Sequence, residues 1–286
     1  MPLLRRLSRR RFLVGAGVCL TGLGIGGYTW RIEPHWLEVV RRDLPIANLP
    51  SNLVGRTLIQ ISDIHIGKLV DDDYVRESIQ LACSFEPAII AITGDFMSCQ
   101  GDEQIDHVCR VLEACLKPAK IATVAIPGNH DYGRTWTDSS VCGKLAARMP
   151  GLGIDFLRNR IHDAAGLQIV GVDDLWSSNC DLKAALAGVD SKKASLVLFH
   201  NPDGADLPNW NGYRGWILSG HTHGGQCKPP FLPPPILPVN NPRYTCGEIE
   251  LFDGRKLYIN RGLGYIRRVR FNVRPEITVF TLRNAG

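Results

Sequence analysis

The 286-residue chain has no C-x-x-C pair among its nine cysteines, which argues against a thiolate zinc site or a thioredoxin-type motif. None of its serines sits in a G-x-S-x-G elbow, so nothing signals a nucleophile of the α/β-hydrolase kind. No internal repeat is visible. Net charge is missing from the body as well. The formal charge is +5, but Arg5, Arg6, Arg9, Arg10 and Arg11 all lie in the first eleven residues, which hold no Asp or Glu. Removing those five from the 33 basic residues leaves 28, against 28 acidic ones. The neutral body gives no support to polyanion binding, and no nucleic-acid partner is expected; the basic excess belongs to targeting. What the chain does have is 44% hydrophobic and 21% charged residues, enough for one large core of the α/β or sandwich type.

The basic leader runs into the apolar stretch Phe12 to Trp30, which as a helix would reach about 28 Å. That is near the roughly 30 Å of a bilayer core. Its six glycines (Gly15, Gly17, Gly22, Gly24, Gly26, Gly27) lower helix propensity and hydrophobicity, which is unusual for an ordinary anchor. Ser8-Arg9-Arg10-Arg11-Phe12-Leu13 resembles the twin-arginine export signal in its serine, both arginines, its aromatic and its leucine. No small-x-small cleavage site precedes Trp30, so a removed signal and a retained inner-membrane anchor both fit, and the cell envelope is the expected location. Val18 stands where a lipid-attachment cysteine at position 19 needs a small residue. Cargo of the twin-arginine route folds before export, so the cysteines are expected to be reduced. The chain divides into a leader (1–30), an irregular lead-in (31–55) with a break at Leu49-Pro50, and a main domain (56–286).

Within that domain strands and amphipathic helices alternate, the pattern of an α/β layered fold. Leu58 to Ile61, Ala88 to Ile92, Ile121 to Ile126, Ile169 to Val172, Leu196 to Phe199 and Trp216 to Leu218 read as strands. Tyr74 to Phe85 reads as a helix with Val75, Ile79, Ala82 and Cys83 on one face, and Asp71, Asp72 and Asp73 as its N-cap and first-turn charges. Ile105, Val108, Cys109, Leu112 and Leu116 recur at helical spacing. Near the C-terminus, Glu248 to Phe252, a turn at Asp253-Gly254 and Lys256 to Ile259 form an expected hairpin, with Ile277 to Leu282 as the last strand. Lys228 to Pro242 carries seven prolines and must be a loop.

Five of the expected strands end in metal-capable side chains. They are Asp63-Ile64-His65, Gly94-Asp95, Gly128-Asn129-His130-Asp131, His200-Asn201-Pro202 and Gly220-His221-Thr222-His223-Gly224-Gly225. Open α/β sheets place their sites beyond the carboxyl ends of strands, so the clusters can meet in one crevice. Asp63 and His65, two apart, can point the same way while Ile64 points into the core. Imidazole, carboxylate and amide together suit Mn, Fe or Zn better than Ca or Mg. Any one piece alone has an ordinary explanation: a lone Asp after a strand is usually a cap, and a lone His is usually structural. That explanation holds for His35, His107 and His162, but the full set in this order is hard to produce by accident.

The order D-x-H, G-D, G-N-H-D, H, G-H-x-H resembles the calcineurin-like metallophosphoesterase superfamily, over Leu58 to Gly225. His200-Asn201-Pro202-Asp203, the extension His223-Gly224-Gly225-Gln226, and the tail motifs Arg261-Gly262-Leu263-Gly264, Arg270-Phe271 and Arg274-Pro275-Glu276-Ile277 resemble its membrane-associated, twin-arginine-exported branch. The resemblance implies a four-layer α/β/β/α sandwich with two mixed sheets and a site for two divalent cations. Asp63, His65, Asp95 and His223 would hold one, and Asp95, Asn129, His200 and His221 the other, with Asp95 bridging. His130 would be a catalytic acid or transition-state stabiliser, oriented by Asp131. The implied reaction is attack of a metal-bridging hydroxide on a phosphodiester or pyrophosphate. The implied partners are a phosphorylated small molecule or a lipid-linked substrate, of which UDP-2,3-diacylglucosamine is the specific alternative. A membrane-tethered, non-catalytic binding module is the rival reading, and loss of ligands, its expected mark, is absent.

Overall fold

The computed structural model describes residues 9–98 and 101–285; Arg5, Arg6, Ser8 and Cys99 lie outside the described residues. In chain order the elements are α1 (Arg9–Gly27), β1 (Glu38–Ile46), β2 (Thr57–Ile61), α2 (Asp72–Ser84), β3 (Ile89–Thr93), α3 (Asp102–Cys115), β4 (Ala122–Ile126), α4 (Ser139–Arg148), β5 (Asp155–Phe156), β6 (Arg160–Ala164), β7 (Leu167–Gly171), α5 (Leu182–Leu186), β8 (Ser195–Leu198), β9 (Gly215–Ser219), β10 (Gly247–Glu250), β11 (Arg255–Ile259) and β12 (Glu276–Asn284). The strands form two six-stranded sheets, ordered β1-β12-β2-β3-β4-β5 and β10-β11-β9-β8-β7-β6. Both are mixed: β2 to β5 run parallel with β12 antiparallel to β2, and β11-β9-β8-β7 run parallel between antiparallel edges.

Strand periodicity sorts the apolar side chains into three layers. Leu58, Ile89 and Ala91 of the first sheet meet Ile169, Leu196, Leu198 and Leu218 of the second in the central layer. The alternate residues Ile59, Ile61, Ile90 and Ile92 face outward onto α2, α3 and α4. On the far side, Val170, Val197 and Ile217 pack under Leu182, Leu186, Trp210 and Tyr213. The result is the expected α/β/β/α sandwich, with Cys109 and Cys115 as small core residues. Asp71 caps α2 through the amides of Asp73 and Tyr74, 2.9 and 3.4 Å from its Oδ1.

The irregular lead-in expected for 31–55 is corrected by the structure. Nine of its residues form β1, paired in parallel with the whole of β12, so the first sheet begins well before residue 56. Its sequence, Glu-Val-Val-Arg-Arg-Asp-Leu-Pro-Ile, hides the strand because charges and a proline are tolerated at a sheet edge. The leader is helical from Arg9 to Gly27 and continues through a π-turn (Tyr28–Ile32) and a 3-10 turn (Glu33–His35). By length and composition Leu13–His35 can cross a membrane, and none of its most apolar stretch is buried in the protein. The eight described cysteines are unpaired.

Candidate metal centre

Each cluster follows a strand directly: β2 leads to Asp63 and His65, β3 to Asp95, β4 to Asn129 and His130, β8 to His200, and β9 to His221 and His223. Because the contributing strands of both sheets end on one side, Asp63, His65, Asp95, His130, His200, His221 and His223 converge, with Asn129 next to His130 in the chain, all of them buried. Asp63, His65 and His223 form one group whose ligand atoms lie within 4.8 Å of one another. Asp95, His200 and His221 form a second, and His65, Asp95 and His130 a third that joins the two through Asp95. Across the joint, Asp95 Oδ2 lies 3.3 Å from His200 Nε2 and 3.5 Å from His65 Nε2. Asp63 Oδ1 lies 3.4 Å from His223 Nε2.

The backbone sets the imidazole tautomers. His200 Nδ1 donates to the Thr93 carbonyl at 2.7 Å and His65 Nδ1 to that of Met97 at 3.3 Å, which leaves both Nε2 atoms facing inward. His221 Nε2 donates to the Pro238 carbonyl at 2.9 Å, so Nδ1 is its free lone pair. The loops pack too closely for side chains at their glycines. Gly94 has φ 91°, and a Cβ there would come within 2.7 Å of the Gly128 amide; a Cβ on Gly128 would overlap Asp95 Oδ1.

Burial pushes Asp63 up to about 7 and holds His65 and His221 down at about 3 and His223 well below its usual range. Burial opposes charge on His200 too, but Asp95 beside it prevails and drives it up to about 10. Asp95 is correspondingly held well below the carboxylate range; burial opposes this, and His200 and His130 outweigh it. Several polar atoms here are buried without a hydrogen-bond partner: Asp95 Oδ2, both side-chain atoms of Asn129, His200 Nε2 and His223 Nδ1. Buried polar groups are rarely left so, and carboxylate and imidazole side chains gathered this closely are what cations would satisfy. His65 Nε2 and His223 Nε2 also face one another at 3.0 Å, two imidazole nitrogens needing a proton or a cation between them.

Asp131 is a clamp between two loops. Both its oxygens accept backbone N–H bonds, from Asp95 (3.0 Å), Gly128 (2.9 Å), Phe96 (2.9 Å) and Met97 (3.3 Å). It holds the 95–97 and 128–131 loops together. The His130 amide donates to Asp95 Oδ1 at 2.9 Å, and its ring stands 4.7 Å from that of His65.

Three features escaped the sequence reading. Trp136 and Trp176 stack at 5.3 Å, and they reach His130 (5.7 Å) and His221 (4.5 Å) respectively. Asp174 is buried, with Oδ1 unpartnered and Oδ2 accepting from the Ser177 amide at 2.8 Å. It follows β7 just as the recognised clusters follow their strands, and that position was the available signal. Arg270, fully buried, donates to the carbonyls of Arg261, Gly262, Gly264 and Val273. His107 and His162 lie elsewhere, each 2.7 Å from an aspartate of its own, Asp72 and Asp155.

The family profile of calcineurin-like phosphoesterase matches residues 56–225. Similar proteins include an uncharacterized metallophosphoesterase, YkuE, of Bacillus subtilis, 31% identical over 99% of this chain and 100% of its own length. The phosphodiesterase YaeI of Escherichia coli is 29% identical, covering 96% of this chain and 99% of its own. The UDP-2,3-diacylglucosamine pyrophosphatase LpxG of Chlamydia trachomatis is 26% identical over 87% and 91%. With a matched profile over more than half its length and clustered side chains able to hold the two divalent metals that the family uses, the chain belongs to the calcineurin-like phosphoesterases and is a phosphoester hydrolase.

Proposed function

We propose that the chain hydrolyses a phosphodiester or pyrophosphate bond with two cations. One would be held by Asp63, His65, Asp95 and His223, the other by Asp95, Asn129, His200 and His221. The observation that carries this reading is the buried convergence of Asp63, His65, Asp95, His200, His221 and His223 in overlapping groups whose ligand atoms lie within 4.8 Å of one another, at the meeting point of five strand ends. Mn, Fe and Zn suit the donor set. When bound, paired cations neutralise charge developing on a phosphoryl group and acidify water. The chain's own part is to fix the donors through backbone carbonyls, to shield them from solvent, and to present His130 beside Asp95 as general acid or hydrogen-bond donor to the transition state. The complete donor set argues against a non-catalytic module.

For substrate, an envelope phosphodiester is the broad reading, with twin-arginine export and an N-terminal anchor as its setting. A second reading, the pyrophosphate of UDP-2,3-diacylglucosamine, draws on the name of LpxG and on the apolar Ile236 and Ile266 beside His221 and His223. The test is to strip the full chain with a chelator and titrate Mn²⁺, Fe²⁺ or Zn²⁺ against hydrolysis of an aryl phosphodiester. Activity should vanish on stripping and return as two cations bind per chain; undiminished turnover by the stripped protein would refute the reading.

A further inference from the structure

We infer that a lip of this chain, Phe231 to Ile236 with Ile266, is seated in a lipid leaflet, so that the metal centre opens at the membrane surface. The end of the leader helix is built into the folded domain. Glu33 is buried there and its Oε1 accepts the Val273 amide at 2.6 Å, while the Arg270 amide donates to the Thr29 carbonyl at 3.0 Å. The guanidinium of Arg268 lies over Trp30 at 5.0 Å, and that of Arg274 over Trp36 at 4.8 Å. The proline-rich loop begins at this same point, since Tyr28, Glu33, Pro230, Phe231 and Phe271 line one cleft.

From that cleft the loop leads to the candidate metal centre. Ile236, Pro238, Ile266 and Arg267 line a second cavity, of about 340 Å³, together with His221 and His223. The side chains along the way are bare: Phe231 is 104% exposed, Ile236 72% and Leu232 59%. A helix lying in a bilayer carries its indoles at the interface, where Trp30 and Trp36 flank the end of the apolar run. Phe231 shares a cleft with Tyr28 of that helix and therefore sits at the interfacial depth. Arg268 and Arg274 lie over the Trp30 and Trp36 indoles, at the same level, a charge complementary to anionic headgroups. A lipid leaflet is thus the occupant continuous with the helix and matched in charge. Resting on the hydrolase reading, the consequence is that an amphiphilic phosphoester can reach His221 and His223 with its acyl part still in the leaflet.

The full chain would be reconstituted in phosphatidylcholine–phosphatidylglycerol vesicles doped with a phosphatidylcholine bearing an acyl-chain diazirine, irradiated, and mapped by mass spectrometry. Adducts are expected at 231–236 and at Ile266 in addition to the helix. The double variant Phe231→Ser/Leu232→Ser should lower loop labelling by about fivefold or more while helix labelling stays within about twofold. Adducts confined to 13–36, or crosslinks joining the lips of two copies, would overturn the proposal. Because labelling needs no turnover, hydrolysis of a soluble aryl phosphodiester in the same vesicles separates the two readings. A labelled lip on a protein dead toward every phosphoester sinks the hydrolase, and an active protein with an unlabelled lip sinks the seating.

Discussion

Asp63, His65, Asp95, His221 and His223 all hold left-handed backbones, with φ between 50° and 69°. Non-glycine residues in that region cost about 1–3 kcal/mol each where the conformation is strained, so the surrounding contacts must enforce it. Asp63 shows how: its two oxygens accept the His221 amide at 3.0 and 3.1 Å, which ties the first cluster to the last. Asp95 has the heaviest duty, facing both halves of the site. Asp95→Asn is expected to abolish most cation binding and hydrolysis together, measured as bound metal and aryl phosphodiester turnover; near-normal turnover would reject the two-cation assignment. His130→Ala should keep wild-type metal content while kcat falls by a factor on the order of 10² to 10⁴. Parallel loss of both cations would instead make His130 a ligand. Protons offer an independent check. In the cation-free protein His200, raised to about 10, is protonated at pH 6, and Asp63, raised to about 7, is mostly so. Cations need the deprotonated forms, so loading at pH 6 should expel about two protons, and affinity should climb as pH rises toward 7. Calorimetry in buffers of different ionisation enthalpy would read the release, and a heat independent of buffer would contradict it.

At the scale of elements, legibility tracked burial. β3 and β4 are buried at every residue and stand out as continuous apolar runs, as does the helical spacing in α3. β1 and β6 were invisible because one is a charged edge strand and the other reads Arg-Ile-His-Asp-Ala, with only Ala164 buried. The site was more legible than the fold around it, since its residue types are dictated by chemistry and its order by strand ends. What stayed hidden is what acts through tertiary contact: the Asp131 clamp, the Trp136–Trp176 stack, and Arg270. Arg270 binds the 261–264 strap from behind, and the strap's Gly264 amide donates to the Asp63 carbonyl at 2.7 Å. Burial lowers its pKa to about 10, so it remains charged at neutral pH. Arg270→Met would strand several carbonyls at about 1–3 kcal/mol apiece. Denaturant midpoints should therefore drop by an amount equivalent to about 3 kcal/mol or more, and metal affinity with them; a wild-type midpoint would show that the strap holds itself.

For the whole molecule, the leader and the catalytic body pose one linked problem. The proposed cation donors come from both sheets and from residues 63 to 223, so the full site forms only when the sandwich closes. The eight described cysteines are unpaired, with Cys109, Cys115 and Cys142 buried in the first-sheet core, where nothing depends on an oxidising compartment. Both facts suit the proposed twin-arginine route, whose cargo folds before export. Arg9 and Arg10 head α1, followed by a glycine-rich apolar run that buries nothing in the body. Replacing both arginines by lysine keeps the positive charge and therefore spares any topology set by charge alone. If the arginine pair itself is read, Arg9→Lys/Arg10→Lys should strand folded, metal-loaded and active protein in the cytoplasm, seen by cell fractionation and protease protection. Undiminished arrival in the envelope would assign the leader to the general secretory route, and would require the metal centre to assemble after the chain has crossed the membrane.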